Sequence, residues 1–261
     1  MIHTFDFSDA KGIVVCGDIH GEFNELVYKC CVQYRMTDTL IIVAGDCGFG
    51  FEQQGYYESV YNRNRKRLSE SNNWILFVRG NHDNPAYFND YLIKHSRWMT
   101  VPDYSVIKAC GHQILCVGGA ISVDRSYRIS DPHYHLTKRD EPLARNIYWN
   151  NEYPVFAVEK LDSISESSAI DTIDTIVTHT SPSFCELTSK IGLANMAIRD
   201  EYLMAHVKSE RQVMDNILNY LKMKNHPLRH WFYGHFHQSW YQKIDGVQYN
   251  MLDIMELREL R

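Results

Sequence analysis

The sequence predicts an α/β fold built on a largely parallel sheet. Two observations carry this. Three short apolar runs each end at Gly-Asp or Gly-Asn, and helix-periodic stretches lie between them. Strand, polar turn, helix, strand is the pattern of βαβ units. The composition agrees: 44% hydrophobic and 23% charged residues describe a globular chain and exclude a disordered or collagen-like one.

The first run is Gly12-Ile-Val-Val-Cys-Gly-Asp18, the second Thr39-Leu-Ile-Ile-Val-Ala-Gly-Asp46 and the third Trp74-Ile-Leu-Phe-Val-Arg-Gly-Asn81. Unbroken apolar runs of this length suit strands buried on both faces. Glu22 to Tyr34 gathers Phe23, Leu26, Val27 and Cys30 on one helical face. Glu52 to Leu68 does the same with Tyr56, Tyr57, Val60 and Tyr61, and its basic run Arg63 to Arg67 reads as a solvated face. Ser105–Ala109 and Gln113–Val117 flank a tight Cys110-Gly-His112 turn and read as a hairpin. Residues 125–168 form a long, irregular, aromatic excursion, with helix expected near Lys138–Arg145 and Val158–Leu161. Asp174–His179, Trp231–Gly234 and Val247–Leu252 read as strands, and Ile198–Met223 as helix. No repeat or linker interrupts the chain, so residues 1–261 are expected to form a single domain.

A net charge of −5 and a pI near 6.2 argue against extended nucleic-acid binding. No window of 18 apolar residues exists to span a membrane, and residues 1–17 lack a basic-then-apolar signal pattern. Seven cysteines without a CxxC pair fit a reducing, hence cytoplasmic, setting with free thiols, and Cys16 and Cys47 read as buried core thiols. Oligomeric state is not legible.

The chemistry-bearing residues fall where strands should end, which is where open α/β sheets bind ligands. They are Asp18 and His20 in Gly-Asp-Ile-His-Gly, Asp46 in Gly-Asp-Cys-Gly, and Asn81, His82 and Asp83 in Gly-Asn-His-Asp-Asn. His179 follows in Val-Thr-His-Thr, then His235 and His237 in Gly-His-Phe-His. Carboxylate, imidazole and amide together form a mixed O/N donor set suited to Mn, Fe, Zn or Ni. Taken singly, each Asp or Asn could be a turn residue and each His an ordinary polar residue.

In this order the five blocks resemble the calcineurin-like metallophosphoesterase superfamily, in its bacterial and phage-type members. The resemblance implies a four-layer α-β-β-α sandwich of two mixed sheets with a dinuclear metal site at its loop edge. Asp18, His20, Asp46 and His237 would hold one divalent ion. Asp46, Asn81, His179 and His235 would hold the other, with Asp46 shared and manganese the favoured metal. A hydroxide bridging the ions would attack phosphorus in line. His82 matches the catalytic histidine, and Asp83 would tune it or merely cap a turn. Two ions, two carboxylates and a hydroxide leave the site about +1, attractive to a phosphate ester.

Arg125 and Arg128, after Gly118-Gly-Ala-Ile-Ser122, are candidates for substrate phosphate, with surface salt bridging as the alternative. The second block lacks the Val-Asp-Arg-Gly continuation of the protein Ser/Thr phosphatase branch, and Arg79 reads as structural. His133 and His135 read as surface or substrate-side residues, and Trp98, Tyr148 and Trp149 either line a pocket or pack. The expected activity is phosphomonoester hydrolysis, on a phosphoprotein, nucleotide or small molecule, with residues 125–168 selecting the substrate. Diester or nucleic-acid cleavage and a non-catalytic binding module are the alternatives, the latter disfavoured by an intact ligand set.

Overall fold

The computed structural model describes residues 2–89, 91–132, 134, 142–167, 170, 172–185 and 191–261. In chain order the strands are β1 (Thr4–Asp6), β2 (Gly12–Cys16), β3 (Thr39–Ala44), β4 (Trp74–Val78), β5 (Lys94–His95), β6 (Trp98–Thr100), β7 (Ser105–Ala109), β8 (His112–Val117), β9 (Thr175–Thr178), β10 (His230–Tyr233), β11 (Trp240–Ile244), β12 (Val247–Met251) and β13 (Leu257–Leu260). The helices of the described residues are α1 (Phe23–Tyr28), which runs on into a π-turn over Lys29–Gln33, α2 (Gln54–Glu70), α3 (Ala86–Asn89), α4 (Arg125–Ser130), α5 (Val158–Ser165), α6 (Ile191–Ala197) and α7 (Leu203–Met223).

The strands form two mixed sheets. One has the order β13-β2-β3-β4-β6-β5, the other β1-β7-β8-β9-β10-β12-β11. Within the first, β2, β3, β4 and β6 are parallel; within the second, β8, β9, β10 and β12 are. The apolar runs are continuous because both faces of these strands are covered. Ile13, Val15, Leu40, Ile42, Leu76 and Val78 point into a core shared with Ile114, Cys116, Val177 and Phe232 of the other sheet. The alternate residues Cys16, Ile41, Val43, Ile75 and Phe77 meet Phe23, Leu26, Val27, Tyr57 and Val60 of α1 and α2. On the far side Leu115, Val117, Ile176 and Trp231 pack on Leu161, Ile164, Met214 and Ile217 of α5 and α7. The result is the four-layer arrangement, helices outside and two sheets within. Each such fully buried side chain contributes about 1.5–3 kcal/mol.

The long helices follow their patterns. On α2 the buried positions Tyr57, Val60, Asn64 and Leu68 recur at helical spacing, and Arg63, Arg65, Lys66 and Arg67 lie exposed opposite them. The hairpin turn places Cys110 and Gly111 at φ 49° and 82°, a left-handed pair that fits a two-residue β-turn. Helix starts later than expected in the 198–223 stretch, at Leu203. Of the helix expected near Lys138–Arg145, residues 138–141 lie outside the described residues and 142–145 are turn and irregular backbone. His133 and His135 also lie outside them. Among the described residues no helix is long and apolar enough to cross a membrane.

Candidate metal centre

Parallel strands deliver their carboxyl ends to one edge. Asp18, Asp46 and Asn81 follow β2, β3 and β4 within three residues, and His179 and His235 follow β9 and β10 within two. The chain turns sharply there. His20, Asp46, His235 and His237 all adopt positive φ, at 43°, 45°, 71° and 49°. Non-glycine residues in this region store strain, and strain of this kind gathers at functional sites. Two glycines let the backbone close on the acids. A Cβ at Gly234 would lie 2.0 Å from Asp18 Oδ1, and one at Gly80 would lie 2.0 Å from the Asp46 nitrogen.

The first cluster joins Asp18, His20, Asp46 and His237, whose donor atoms all lie within 4.8 Å of one another. His237 Nε2 is 3.0 Å from Asp18 Oδ2 and 3.1 Å from His20 Nε2. The Asp18 carboxylate, fully buried, also accepts the His235 backbone N–H at 3.0 Å. The second cluster is deeper. His179 Nε2 stands 3.0 Å from Asp46 Oδ1 and 3.0 Å from Asn81 Oδ1, while its Nδ1 lies 2.8 Å from the Ala44 carbonyl. A backbone acceptor at Nδ1 leaves Nε2 as the ligating atom. The ring of His235 packs beside that of His179, centroids 5.0 Å apart.

Asp46 belongs to both clusters. Burial disfavours its charge, but His179 and His82 outweigh that and hold the carboxyl well below the ordinary range. Burial likewise opposes a charged His179, yet Asp46 and Asp18 raise it to about 10. Burial and then His179 push His235 well below its usual value. Two carboxylates, four imidazoles and an amide oxygen converging on one edge fit a pair of borderline divalent cations.

His82 stands over this edge. Its backbone N–H donates to Asp46 Oδ1 at 2.7 Å, its Nδ1 is 3.4 Å from Asp46 Oδ2, and Arg128 Nη2 donates to its Nε2 at 2.9 Å. Burial, reinforced by the Arg128 charge, lowers its pKa against the pull of Asp46. Arg128 is itself fixed, through Nε to both Asp124 oxygens at 2.9 Å and through Nη1 to the Ile147 carbonyl at 3.0 Å. His20, His82 and Arg128 face a cleft of about 400 Å³ whose other walls include Glu22, Phe51, Glu52 and Tyr56.

Two expected residues do other work. Arg125 turns away: its Nε and Nη2 bind Asp200 at 2.5 and 3.1 Å, and its Nη1 lies 2.8 Å from His206 Nδ1. That ion pair holds Asp200 below the ordinary carboxylate range. A depressed acid stabilises the fold above its ordinary pKa, and this contribution disappears as pH falls through the depressed value. Arg125→Ala should therefore lower the unfolding free energy at neutral pH by the roughly 1.5–3 kcal/mol of a charged hydrogen-bond pair, and Tm with it. The difference from wild type should narrow in thermal melts as pH falls below the ordinary Asp value and through the depressed one.

Asp83 does not touch the His82 ring in the hydrogen-bond network. Its oxygens accept four backbone N–H groups, those of Cys47, Gly48, Phe49 and Gly80, at 2.8–3.0 Å. It ties the loop after β3 to the loop after β4. Its burial, with the charge of Asp46, raises it to about 7. Asp83→Ala strands these donors, each costing roughly 1–3 kcal/mol, so a loss of at least about 3 kcal/mol is expected in denaturant titrations.

The buried Arg79 bonds to Asp103 and to the Glu152 and Tyr153 carbonyls, a structural role. Cys16 and Cys47 are fully buried, and burial pushes both thiols up, leaving them unreactive. Trp149 packs edge-on to Phe51 at the cleft, and Trp98 lies in the helix-side core. Sequence reading missed Ser122, which bonds to Asn81, and the buried Glu152 and Glu210 behind it. Ser122 closes the Gly118-Gly-Ala-Ile-Ser122 run; the two glutamates have no local signal.

The family model for calcineurin-like phosphoesterases matches residues 12–239. No curated protein matches the chain. Among solved structures, TT1561 of Thermus thermophilus is similar at a TM-score of 0.53 and 12% identity, covering 96% of this chain and 98% of that one. The phosphopantetheinyl hydrolase PptH from Mycobacterium tuberculosis aligns at 0.41 and 13%, covering 95% and 96%. At 12% identity the likeness to TT1561 is one of fold.

Proposed function

The chain belongs to the calcineurin-like phosphoesterase family and is a metal-dependent phosphoesterase, and from that premise we propose that it hydrolyses small-molecule phosphate monoesters. Asp18, His20, Asp46 and His237 hold one divalent ion, and Asp46, Asn81, His179 and His235 the other, with manganese the first metal to supply. When bound, the ions furnish Lewis acidity and a water acidic enough to attack phosphorus at neutral pH.

The observation that carries the monoester reading is Arg128, its Nη2 2.9 Å from His82 Nε2 on the rim of the clusters. A monoester dianion bears one more charge than a diester, so a fixed guanidinium favours it. Asp124 and Ile147 already hold this arginine in place, and little ordering is needed on binding. The dianion draws Arg128 from Nε2 and favours the imidazolium form of His82, the state that can protonate a leaving oxygen. Asp46, 3.4 Å from Nδ1, steadies that cation. Phe51 and Tyr56 offer apolar surface to the leaving group. Glu22 and Glu52 put negative charge where an extended polyanion would run, which favours a small substrate over nucleic acid.

Residues 1–261 act as one domain, and the first part of the 125–168 excursion, with Arg128, shapes specificity. Seven free cysteines support a cytoplasmic setting.

Manganese-loaded protein, assayed on aryl phosphate mono- and diesters with the same leaving group, tests the reading. The monoester should give the higher kcat/KM, and Arg128→Ala should lower that value roughly 10²-fold while changing the diester less. A faster diester that Arg128→Ala leaves untouched would overturn it.

A further inference from the structure

We infer that Glu152 is a positioning residue: through Ser122 it fixes the amide of Asn81 so that oxygen, not nitrogen, faces the ion assigned to Asn81. The inference rests on the ligand assignment above.

Glu152 is 1% exposed. Its main-chain carbonyl accepts from Arg79 Nη1 at 2.7 Å, and Arg79 is anchored in turn on Asp103 at 2.9 Å. On this mount the carboxylate meets Ser122 twice. Oε1 accepts the Ser122 backbone N–H at 2.7 Å, and Oε2 accepts the Ser122 hydroxyl at 2.6 Å. A hydroxyl has one hydrogen. With that hydrogen given to Glu152, Ser122 Oγ can only accept from Asn81, and it takes the Nδ2 hydrogen at 3.0 Å. The amide is thereby oriented, and Oδ1 points inward, 3.0 Å from His179 Nε2.

The direction of donation is what matters. An amide nitrogen has no free lone pair for a cation, so an Asn turned the other way is no ligand. Burial lifts the Glu152 carboxyl to about 8 against the two Ser122 hydrogen bonds that favour its charge; once ionised it only accepts, and it starts the chain of donation in the right sense. Glutamine has the same size, yet it reverses that sense. The Ser122 N–H pins the glutamine oxygen, so its NH₂ faces Oγ as a donor. Oγ can then accept from both amides while its hydrogen loses its acceptor, or it can give that hydrogen to Asn81, which presents Oδ1 to it and Nδ2 to the ion; either way the amide is no longer held in one sense. Outer partners of ligands typically tune metal affinity by roughly 10–100-fold.

Calorimetric titration of the metal-free full chain with Mn²⁺, run above pH 8 so that Glu152 is ionised, tests this. Wild type should bind two ions and Asn81→Ala one. Glu152→Gln should weaken one of the two by about 10–100-fold and leave the other unchanged. In a Ser122→Ala background, which lacks the relaying hydroxyl, Glu152→Gln should cost nothing further. A merely structural Glu152 would cost the same in both backgrounds, and that result would overturn the inference. So would two wild-type affinities in Glu152→Gln alongside one lost ion in Asn81→Ala. Two ions retained by Asn81→Ala would instead sink the ligand assignment, and this inference with it. Should Glu152→Gln fail to fold, Ser122→Ala alone decides: weaker binding of one ion supports the relay, and unchanged binding of both contradicts it.

Discussion

Asp46→Asn is expected to empty both metal positions together. The Asp46 carboxylate lies within ligand range of the Asp18–His20–His237 cluster and 3.0 Å from His179 Nε2 in the other. Asparagine keeps one acceptor oxygen, which can still take the His82 backbone N–H, but its nitrogen binds no cation. At a manganese concentration that gives wild type two ions per chain, the variant should retain fewer than one after gel filtration. Loss of an outer partner alone costs roughly 10–100-fold, so kcat/KM should fall by more than about 10²-fold for a shared ligand. Elemental analysis showing one vacancy and one filled position would contradict the shared assignment.

His82→Ala should separate catalysis from metal binding. The ring stands beside His20 and Phe51, 5.5 and 6.2 Å between centroids, and lines the cleft. Its removal should leave both ions bound. General acid catalysis by a placed imidazole contributes roughly 10²–10⁴-fold, and kcat should drop within that range on an alkyl phosphate. For a nitrophenyl ester, whose leaving oxygen hardly needs a proton, the loss should shrink. An equal loss on both leaving groups would show that His82 acts other than as an acid, and metal loss would show it to be a ligand.

The fold was legible where burial leaves a strong pattern. Strands β2, β3 and β4 are covered on both faces, so they must be apolar throughout, and their polar residues can appear only past the ends. That constraint makes Asp18, Asp46 and Asn81 visible in one sequence. Edge strands carry no such constraint. β11 is largely exposed, and β1, β5 and β13 are short, so their residues show no period to read. The excursion hid its content for the same reason, except at α5, whose Leu161 and Ile164 face the core.

Side-chain direction was less legible than position. Arg125 and Arg128 are three residues apart on α4, and one helical turn places them close together. A carboxylate 75 residues away claims Arg125, whereas Asp124, in the preceding turn, aims Arg128 at His82. No local pattern distinguishes these fates. The Asp83 carboxylate follows a candidate ligand and a catalytic candidate in sequence, yet its geometry is that of a loop staple. Glu152 is invisible from sequence, because a lone acid in an irregular stretch becomes informative only once it is seen buried and bonded to Ser122.

The most direct measurement is anomalous diffraction from crystals grown with Mn²⁺. The expected map holds two peaks roughly 3.5–4 Å apart, one among Asp18, His20, Asp46 and His237, the other among Asp46, Asn81, His179 and His235. A single peak, or two peaks with Asp46 touching only one of them, would contradict the paired-ion centre on which the chemistry depends.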